Sequence, residues 1–380
     1  MLCLGLMSGT SADGVDAVLA RFSGPPQHPR WQLIRHRHTP YPNALRNRLI
    51  AAGQGTHLPA AAWLDLSEAI TELQALAADA ADPRREAALV GCHGQTLWHR
   101  PPTPKRRGAS WQLLQAPLLA QLLQRPVVHD FRAADLALGG QGAPLVPRAD
   151  AALLGRIDGW RGLLNLGGIA NLTLIPPRCG PEGTHAVLGW DCGPANTLID
   201  LAVDRFSDGL RSFDLDGAMA AAGSCRESWV HRWLEEPYFQ ELPPKSTGRE
   251  CFGRDDLNRR LEQMLSVSPA DAVATLTGFS AAVVAQDLDR LWARQGIRPL
   301  ELLVAGGGSR NPVLMAELQR RCKGTAIGLS DHRGIPAEAR EALVFALLAW
   351  WHERSHPGNA PAITGAEREA VLGVRVAPGG

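Results

Sequence analysis

Apolar and polar residues alternate along this chain with two different periods, and each period predicts one kind of element. The segments "AAWLDLSEAITELQALAADA" near residue 70 and "DAVATLTGFSAAVVAQDLDRLWARQG" near residue 283 place apolar residues at helical spacing. The apolar runs "ALVGCHGQT" (88–96) and "ELLVAGGGSRN" (301–311) predict strands that lead into glycine turns, where α/β sheets collect ligands. Because both kinds of segment recur throughout the chain, an α/β fold is predicted.

One strand–turn–strand pattern occurs twice. "LGLMSGTSADGVDAVL", from Leu4, and "GLLNLGGIANLTLI" (162–175) each place a turn of small residues between two apolar runs. This internal repeat, in a chain of 380 residues, predicts two related domains. We expect an N-terminal domain of residues 1–135, joined by the C-terminal helix and tail at about 337–380, and a C-terminal domain of residues 136–336. The segment "GGQGAPLVP" (139–147) is the candidate crossing between them.

The charge balance narrows the class of partner. With 39 Lys+Arg against 38 Asp+Glu, nothing points to nucleic acid or an anionic membrane, so we expect small molecules or protein surfaces as partners. Seven scattered cysteines without a C-x-x-C pair indicate neither a disulfide framework nor a zinc site. Because "ALVFALLAWW" (342–351) is too short to span a membrane and no signal peptide is evident, we expect a cytoplasmic protein.

The turn of the first repeat is a candidate phosphate site. Its glycines and hydroxyls would offer several donors in one concavity, and the carboxylates of Asp13 and Asp16 suit hydrated Mg²⁺. The alternative is an ordinary hairpin punctuated by Asp13 and Gly14. A second small-residue turn, in "NLGGIAN" (165–171), favours a pair of phosphate loops. No P-loop motif is present, and "GGGSRN" (306–311) lacks the last glycine of a dinucleotide fingerprint, so it either admits a flat ligand such as adenine or begins a helix.

Two further segments carry candidate chemistry. In "WDCGPANTLIDLAVDRF" (190–206), Pro194 fits the first turn of a helix and would place Asp191 in the preceding loop, where it either caps that helix or faces a ligand. "CHGQTLWH" (92–99) and "HDFRAAD" (129–135) supply His93, Gln95, Asp130 and Arg132, which suit a polyol or a carboxylate. No set of His, Cys and carboxylate has metal-ligand spacing, so no tightly bound transition metal is expected.

In order from residue 4 to about 350, the chain resembles the anhydro-N-acetylmuramic acid kinase family. The motifs that carry the resemblance are "GLMSGTSADGVD", "CHGQT", "DFR..D...GGQGAPLVP", "NLGGIANLT", "WDCGPAN", "PPKSTGRE", "GGGSRNP" and "EALVFALLAW". The resemblance implies two related actin-like, ribonuclease H-like domains with an interdomain cleft for Mg-ATP.

The resemblance also implies roles for individual residues. Asp191 would be the general base, with Glu341 as a second carboxylate, although a first-turn acid favoured by the helix dipole is the alternative for Glu341. The sugar contacts would be His93, Gln95, Asp130 and Arg132. The ATP contacts would lie in three segments. They would be Gly9, Thr10, Ser11, Ala12, Asp13, Gly14, Val15 and Asp16 in the first loop, Gly167 and Gly168 in the second loop, and Gly306, Gly307, Gly308 and Asn311 in the adenosine turn. Mg²⁺ would arrive with ATP, near Asp13 and Asp16.

Mild departures from the family pattern put the shape of the sugar pocket in doubt. They are Ala12, where a larger apolar residue is common, and Trp190 and Cys192, in place of Phe and Thr. None of them removes the base, Asp191.

The implied activity is an ATP-dependent kinase of peptidoglycan recycling. It would open the 1,6-anhydro bridge with water and place phosphate on O6, giving N-acetylmuramic acid 6-phosphate and ADP. Two other classes stay open: an actin-fold ATPase such as a chaperone or filament protein, and a sugar kinase that needs no water. The sequence leaves the oligomeric state, including a homodimer, undetermined.

Overall fold

The structure is a computed structural model that describes residues 1–9, 11–243, 245–247, 251–264 and 266–379, with only the backbone of Ala337. By its internal contacts the chain divides into two compact units. Unit 1 comprises Met1–Leu154 and Gly334–Gly380, and unit 2 comprises Gly155–Arg333. The domain boundaries predicted from the sequence lie at 135/136 and 336/337, and the segment between 136 and 154 groups with unit 1.

The strands form two sheets in the described part of the chain. Their bounds are β1 Leu2–Ser8, β2 Gly14–Ser23, β3 Arg30–Pro40, β4 Leu89–Arg100, β5 Ala109–Leu113, β6 Val127–His129, β7 Arg161–Leu166, β8 Ile169–Ile175, β9 Leu188–Pro194, β10 Glu301–Ala305, β11 Ala326–Leu329 and β12 Val374–Val376. The sheet of unit 1 has the order β12-β6-β4-β1-β2-β3, with β5 paired to β4, and the sheet of unit 2 has the order β11-β10-β7-β8-β9.

The two sheets share one topology. In unit 1, β1, β2 and β3 form an antiparallel meander, β4 runs parallel to β1, and β6 runs parallel to β4. In unit 2, β7, β8 and β9 form the same meander, and β10 joins β7 and β11 in parallel. Both predicted hairpins are therefore present, and the α/β fold with two related halves is confirmed.

Helices surround both sheets. Their bounds are α1 Asn43–Gly53, α2 Ala60–Ala81, α3 Ala116–Leu123, α4 Ala133–Ala137, α5 Val146–Leu154, α6 Asn196–Phe206, α7 Ala218–Ala221, α8 Glu227–Leu234, α9 Pro237–Gln240, α10 Arg254–Gln263, α11 Pro269–Gln295, α12 Pro312–Arg321, α13 Arg340–His352 and α14 Pro361–Thr364. The two helices predicted from periodicity are α2 and α11. In the described residues, no helix is long and apolar enough to cross a membrane.

Helix α11 shows how the sequence fixes its own ends. The Ser268 hydroxyl accepts the Asp271 amide at 3.1 Å, and Pro269 occupies the first turn, which satisfies and pre-shapes the helix start. Gly296, with φ of 68°, ends the helix in the left-handed conformation that glycine adopts without a steric cost. Most of the length between these ends is buried in the core of unit 2.

Helix α13 packs directly on the sheet of unit 1. A Cβ on Gly5 of β1 would collide with the carbonyl of Ala342, and one on Gly91 of β4 would collide with the carbonyl of Phe345. The two glycines therefore let the helix backbone approach the strands, and α13 is buried from Ala342 to Trp351. This packing fixes the position of Glu341, which precedes the buried stretch.

A buried carboxylate holds the C-terminal tail within unit 1. Asp135, fully excluded from solvent, accepts the Gly142 amide at 2.8 Å, the Asn359 side-chain amide at 2.9 Å and the Thr364 hydroxyl at 2.7 Å. Two of these donors come from the tail and one from the segment "GGQGAPLVP". Because a buried carboxylate needs such donors, Asp135 joins parts of unit 1 that are more than 200 residues apart in sequence.

Candidate functional site

The first predicted phosphate loop joins β1 to β2 in unit 1. The Ser8 hydroxyl lies within 2.9 Å of the Gly14 carbonyl and 2.6 Å of the Gln95 side-chain carbonyl. Gln95 also donates its amide to the Gly9 carbonyl at 2.9 Å. Ala12 closes the turn at a φ of 49°, and its amide donates to the Gly9 carbonyl at 3.1 Å. Ser8 and Gln95 thus hold the base of the loop in place. Thr10 lies outside the described residues.

The carboxylates of this loop have protein partners. Asp13 accepts the Ser11 hydroxyl at 2.9 Å, and one oxygen of Asp16 lies 3.0 Å from His36 Nε2 and 3.1 Å from His38 Nδ1. Val15 beside them is fully buried in the core. In the described residues, no group of three or more His, Cys, Asp or Glu could hold a metal ion. The contacts of Asp13 and Asp16 involve one oxygen of each carboxylate, and carboxylate oxygens are ligands of the kind that Mg²⁺ takes.

His93 and Arg132, both predicted sugar contacts, are bonded to each other. The Arg132 guanidinium donates to His93 Nε2 through Nε at 3.2 Å and through its terminal nitrogen at 3.0 Å. His93 Nδ1 in turn donates to the Gly94 carbonyl at 3.0 Å. Burial, together with the charge of Arg132, lowers the pKa of His93 to about 3. The imidazole is therefore neutral, with its proton on Nδ1.

Glu341 lies close to Arg132 in unit 1, and Asp130 precedes Arg132 by two residues in the sequence. Glu341 lies in the first turn of α13 and is exposed, yet protein atoms packed near its carboxyl raise its pKa by desolvation, an effect that Arg340 and Arg132 oppose. Asp130 follows β6 in the left-handed conformation, with a φ of 54°. Arg132 also donates to the Gly142 carbonyl at 2.7 Å, which orients its guanidinium. His93, Arg132 and Glu341 thus form one polar group in unit 1, with Gln95 nearby at the base of the first loop.

The second predicted phosphate turn joins β7 to β8 in unit 2. The Gly168 carbonyl accepts the amides of Ala195 at 2.9 Å and Thr197 at 3.1 Å. The Gly167 carbonyl accepts the Asn196 backbone amide at 3.1 Å and its side-chain amide at 2.7 Å. Since these carbonyls occupy the first amides of α6, the turn is fixed rigidly to that helix.

In the third glycine segment, 306–308, Gly307 lines a cavity of about 550 Å³ within unit 2. Its walls include Asn196, Asp214, Asp216, Gly307, Arg310 and Asn311. Gly306 has a φ of 84°, and a Cβ there would lie 2.5 Å from the Asn165 side-chain oxygen, whereas a Cβ on Gly307 would meet nothing within 4 Å. Gly308 is packed between Leu166 and Asn196. Only Gly307 of the three therefore has an open face.

Asn311, which also lines this cavity, has a structural role. Its side-chain oxygen accepts the amides of Val313 at 3.0 Å and Leu314 at 3.2 Å, so it caps the start of α12. The helix-start alternative for "GGGSRN" is confirmed by this cap, whereas a flat ligand beside the segment stays a prediction.

Asp191 lies on β9, and the predicted loop before a helix is wrong. Residues of β9 pair with β8, with Asn171 opposite Asp191, so Pro194 ends a strand and α6 begins only at Asn196. The Ala195 and Asn196 amides are taken by the Gly167–Gly168 turn, so Asp191 does not cap the helix. Pairing of β8 with β9 overrides the helical preference of Pro194.

The Asp191 carboxylate is held on both oxygens. Oδ1 accepts the side-chain amide of Asn171, and Oδ2 accepts the Ser246 hydroxyl at 3.0 Å and the Thr247 amide at 2.9 Å. The backbone is also fixed, because the Asp191 amide donates to the Lys245 carbonyl at 3.0 Å and Tyr238 donates its hydroxyl to the Asp191 carbonyl at 2.7 Å.

These partners of Asp191 were not assigned a role by the sequence reasoning. Lys245, Ser246 and Thr247 lie in "PPKSTGRE", which was noted as a motif without a function, and Asn171 ends "NLGGIAN". The signal that could have found them is the presence of polar residues in a motif to which no role was assigned. Tyr238 gave no signal of this kind.

Comparison with known proteins extends over both units. A family model described as anhydro-N-acetylmuramic acid kinase matches residues 1–378. A relative from Parasynechococcus marenigrum (strain WH8102), named anhydro-N-acetylmuramic acid kinase, is 75% identical over 378 residues and covers 100% of both chains. A relative of the same name from Synechococcus sp. (strain CC9605) is 70% identical over 378 residues, with the same coverage. Among solved structures, a xyloylose kinase from Brucella ovis is 15% identical, covers 100% of this chain and 95% of that chain, and has a TM-score of 0.45.

Proposed function

Since this chain belongs to the anhydro-N-acetylmuramic acid kinase family, we propose that Asp191 is the general base of its reaction. The chain is an ATP-dependent kinase of the anhydro-sugar in cell-wall recycling. In the proposed step, a water oxygen attacks the anomeric carbon C1 and Asp191 takes one proton of that water. The C1–O6 bond breaks, O6 bonds to the γ-phosphorus of ATP, and ADP leaves. The products are N-acetylmuramic acid 6-phosphate and ADP.

The observation that carries this proposal is the hydrogen bonding of the Asp191 carboxylate. An ionised carboxylate offers about four acceptor positions, and the described partners fill three of them. The group is thus fixed in orientation by protein donors and still has capacity to accept a hydrogen bond from one water. That is the arrangement required of a base, which must lie within hydrogen-bond reach of the proton it removes.

We assign ATP to the three glycine segments. The cavity beside Gly307 has room for the adenosine, and a Cβ on Gly9 or Gly167 would meet no atom closer than 3.7 Å, which leaves space for phosphates at both turns. When bound, Mg²⁺ would neutralise charge on the phosphates and orient them. Asp13 and Asp16 are the residues of the first loop that would hold it through oxygen. Positioning and charge neutralisation of this kind supply most of the catalysis in phosphoryl transfer.

We assign the anhydro-sugar to the polar group of unit 1. Arg132 uses three of its five N–H donors on His93 and Gly142, which leaves donors for the carboxylate of the sugar's lactyl group. The raised pKa of Glu341 suits a carboxyl that exchanges a proton or hydrogen-bonds a sugar hydroxyl. Asp130 would accept from a further hydroxyl. Gln95, whose side-chain amide is bonded to Ser8 and Gly9, would hold the first loop in place beside the sugar.

The fate of the water oxygen tests the reaction. We expect that incubation with Mg-ATP and the anhydro-sugar in ¹⁸O-water gives a product with label on the anomeric oxygen and phosphate on O6, as read by tandem mass spectrometry. An unlabelled phosphosugar would instead indicate a sugar kinase that needs no water. ATP turnover without a sugar product would indicate an ATPase that only switches its conformation.

The role of Asp191 is tested by Asp191→Asn. Loss of a general base lowers kcat by about 10²- to 10⁴-fold, and we expect ATP affinity by calorimetry to stay unchanged because the cavity lies elsewhere in unit 2. Asp289→Asn is the matched control, since its partner Arg298 lies 2.8 Å away on an exposed surface pair that contributes little. Activity of Asp191→Asn close to that of the control would rule Asp191 out as the base.

A further inference from the structure

We propose that the buried ion pair between Lys245 and Asp287 positions Asp191 for catalysis. The proposal rests on the proposed function of Asp191 as the base. Neither member of the pair contacts Asp191 with its charged group, so both are positioning residues. Their effect passes through the segment 245–247 and through β9, each of which contacts Asp191 directly.

The segment 245–247 provides three of the bonds that hold Asp191. Lys245 accepts the Asp191 amide on its carbonyl, and Ser246 and Thr247 both donate to the carboxylate oxygen Oδ2. These three residues belong to no helix or strand. A segment without ladder hydrogen bonds needs another anchor if it is to hold a carboxylate in one orientation.

The anchor is the side chain of Lys245. Its ammonium donates to Asp287 Oδ1 at 2.9 Å, and the two side chains are only 1% and 2% exposed. Asp287 lies on α11, the 27-residue helix whose capped start and buried length make it a fixed support in unit 2. The pair therefore connects an irregular segment to a rigid element.

The same carboxylate also holds the strand on which Asp191 lies. Asp287 Oδ2 accepts the indole N–H of Trp190 at 2.8 Å, and Trp190 precedes Asp191 on β9. Because side chains alternate along a strand, Trp190 points into the core and Asp191 points away from it. Asp287 is thus bonded to both structures that fix Asp191, one on each of its two oxygens.

A third connection runs through Tyr238. The Lys245 ammonium lies 5.0 Å from the centre of the Tyr238 ring, within the range of a cation–π contact, and Tyr238 donates its hydroxyl to the Asp191 carbonyl. The amide, the carbonyl and one carboxylate oxygen of Asp191 are therefore each connected to the Lys245–Asp287 pair, either directly or through one intervening residue.

Stability alone does not account for such a pair. Removing two charges from water is costly, and replacing both members of a buried ion pair by uncharged residues of similar volume is often neutral or stabilising. Removing one member alone leaves an uncompensated charge and destabilises strongly. A paired substitution can therefore separate a positioning role from a structural one.

The test is the double variant Lys245→Met with Asp287→Asn. Methionine keeps much of the lysine volume, and asparagine keeps an oxygen that can accept the Trp190 indole. We expect a folded protein that binds ATP with wild-type affinity while kcat falls about a hundredfold, because small displacements of a catalytic group cost that much. Arg321→Met is the matched control. It breaks the pairs with Glu317 and Glu227, each at 2.7 Å, in the same unit.

The outcomes distinguish this inference from the proposed function. A folded double variant with kcat within about threefold of the Arg321→Met control, beside an inactive Asp191→Asn, overturns the positioning role and leaves the base assignment standing. An active Asp191→Asn overturns both. If this double variant does not fold, Lys245→Leu with Asp287→Asn decides, since it also removes both charges and still leaves the Trp190 indole an acceptor. We then expect about a tenfold loss of kcat at unchanged ATP affinity, and wild-type kcat refutes the inference.

Discussion

The neutral, buried imidazole of His93 predicts a specific dependence of stability on pH. Its pKa in the folded protein, about 3, lies far below the value of about 6.5 expected in the unfolded chain. Between these two values the unfolded state binds a proton that the folded state does not. The stabilisation is therefore fully present above about pH 6.5 and is lost as the pH falls toward 3.

The magnitude follows from proton linkage. One extra proton on the unfolded state lowers the free energy of unfolding by about 1.4 kcal/mol for each pH unit below the unfolded pKa. Between about pH 8 and about pH 4.5, His93 should thus account for a loss of about 2.7 kcal/mol. His93→Gln removes this loss while keeping an oxygen that can accept from Arg132.

The measurement is urea denaturation of wild type and His93→Gln at both pH values. We expect the difference in unfolding free energy between the two proteins to change by about 2.7 kcal/mol in favour of the variant at the lower pH. His93→Asn serves as the control, because it also lacks the imidazole but packs differently. Its unfolding free energy should differ from that of His93→Gln by an amount that does not depend on pH. A difference that does not vary with pH would show that the imidazole titrates alike in both states and would refute the reasoning.

Two further predictions concern glycine and charge. Gly306→Ala should lower the free energy of unfolding by about 1–3 kcal/mol, because its φ of 84° and the nearby Asn165 oxygen exclude a Cβ. Gly307→Ala should leave thermal stability unchanged and weaken ATP binding in calorimetry; equal effects of the two substitutions would contradict the open face at Gly307. Arg340→Met should cost about 3–5 kcal/mol in urea denaturation, because it leaves the fully buried Asp150 without its cation. Adding Asp150→Leu should restore most of that loss, and a double variant as unstable as the single one would contradict the charge argument.

Much of the fold could be predicted because its signals are local. The periodicities of α2 and α11, the small-residue turns after β1 and β7, and the repeat that relates them all lie within short windows of sequence. The same is true of glycine-rich turns at strand ends. The one local error was Pro194, where strand pairing outweighed the preference of proline for a helix start.

The surroundings of Asp191 could not be predicted because they depend on distant contacts. Ser246 and Thr247 are 55 and 56 residues away from it, and Asp287 is 97 residues from Trp190. The local pattern at "PPKSTGRE" does not indicate which carboxylate forms an ion pair with its lysine. Pairing of this kind is a property of the packed core, where a buried charge must find its partner.

The tail held by Asp135 has a consequence for the order in which the chain can fold during synthesis. Domains generally fold as units as they emerge, beginning with the N-terminal one. The sheet of unit 1 includes β12, near the end of the chain, and Asp135 accepts hydrogen bonds from Asn359 and Thr364. Unit 2, by contrast, is one continuous stretch of sequence inserted between the two segments of unit 1. We therefore expect the inserted unit to be complete first, and the half that begins the chain to close only after its last strand has left the ribosome.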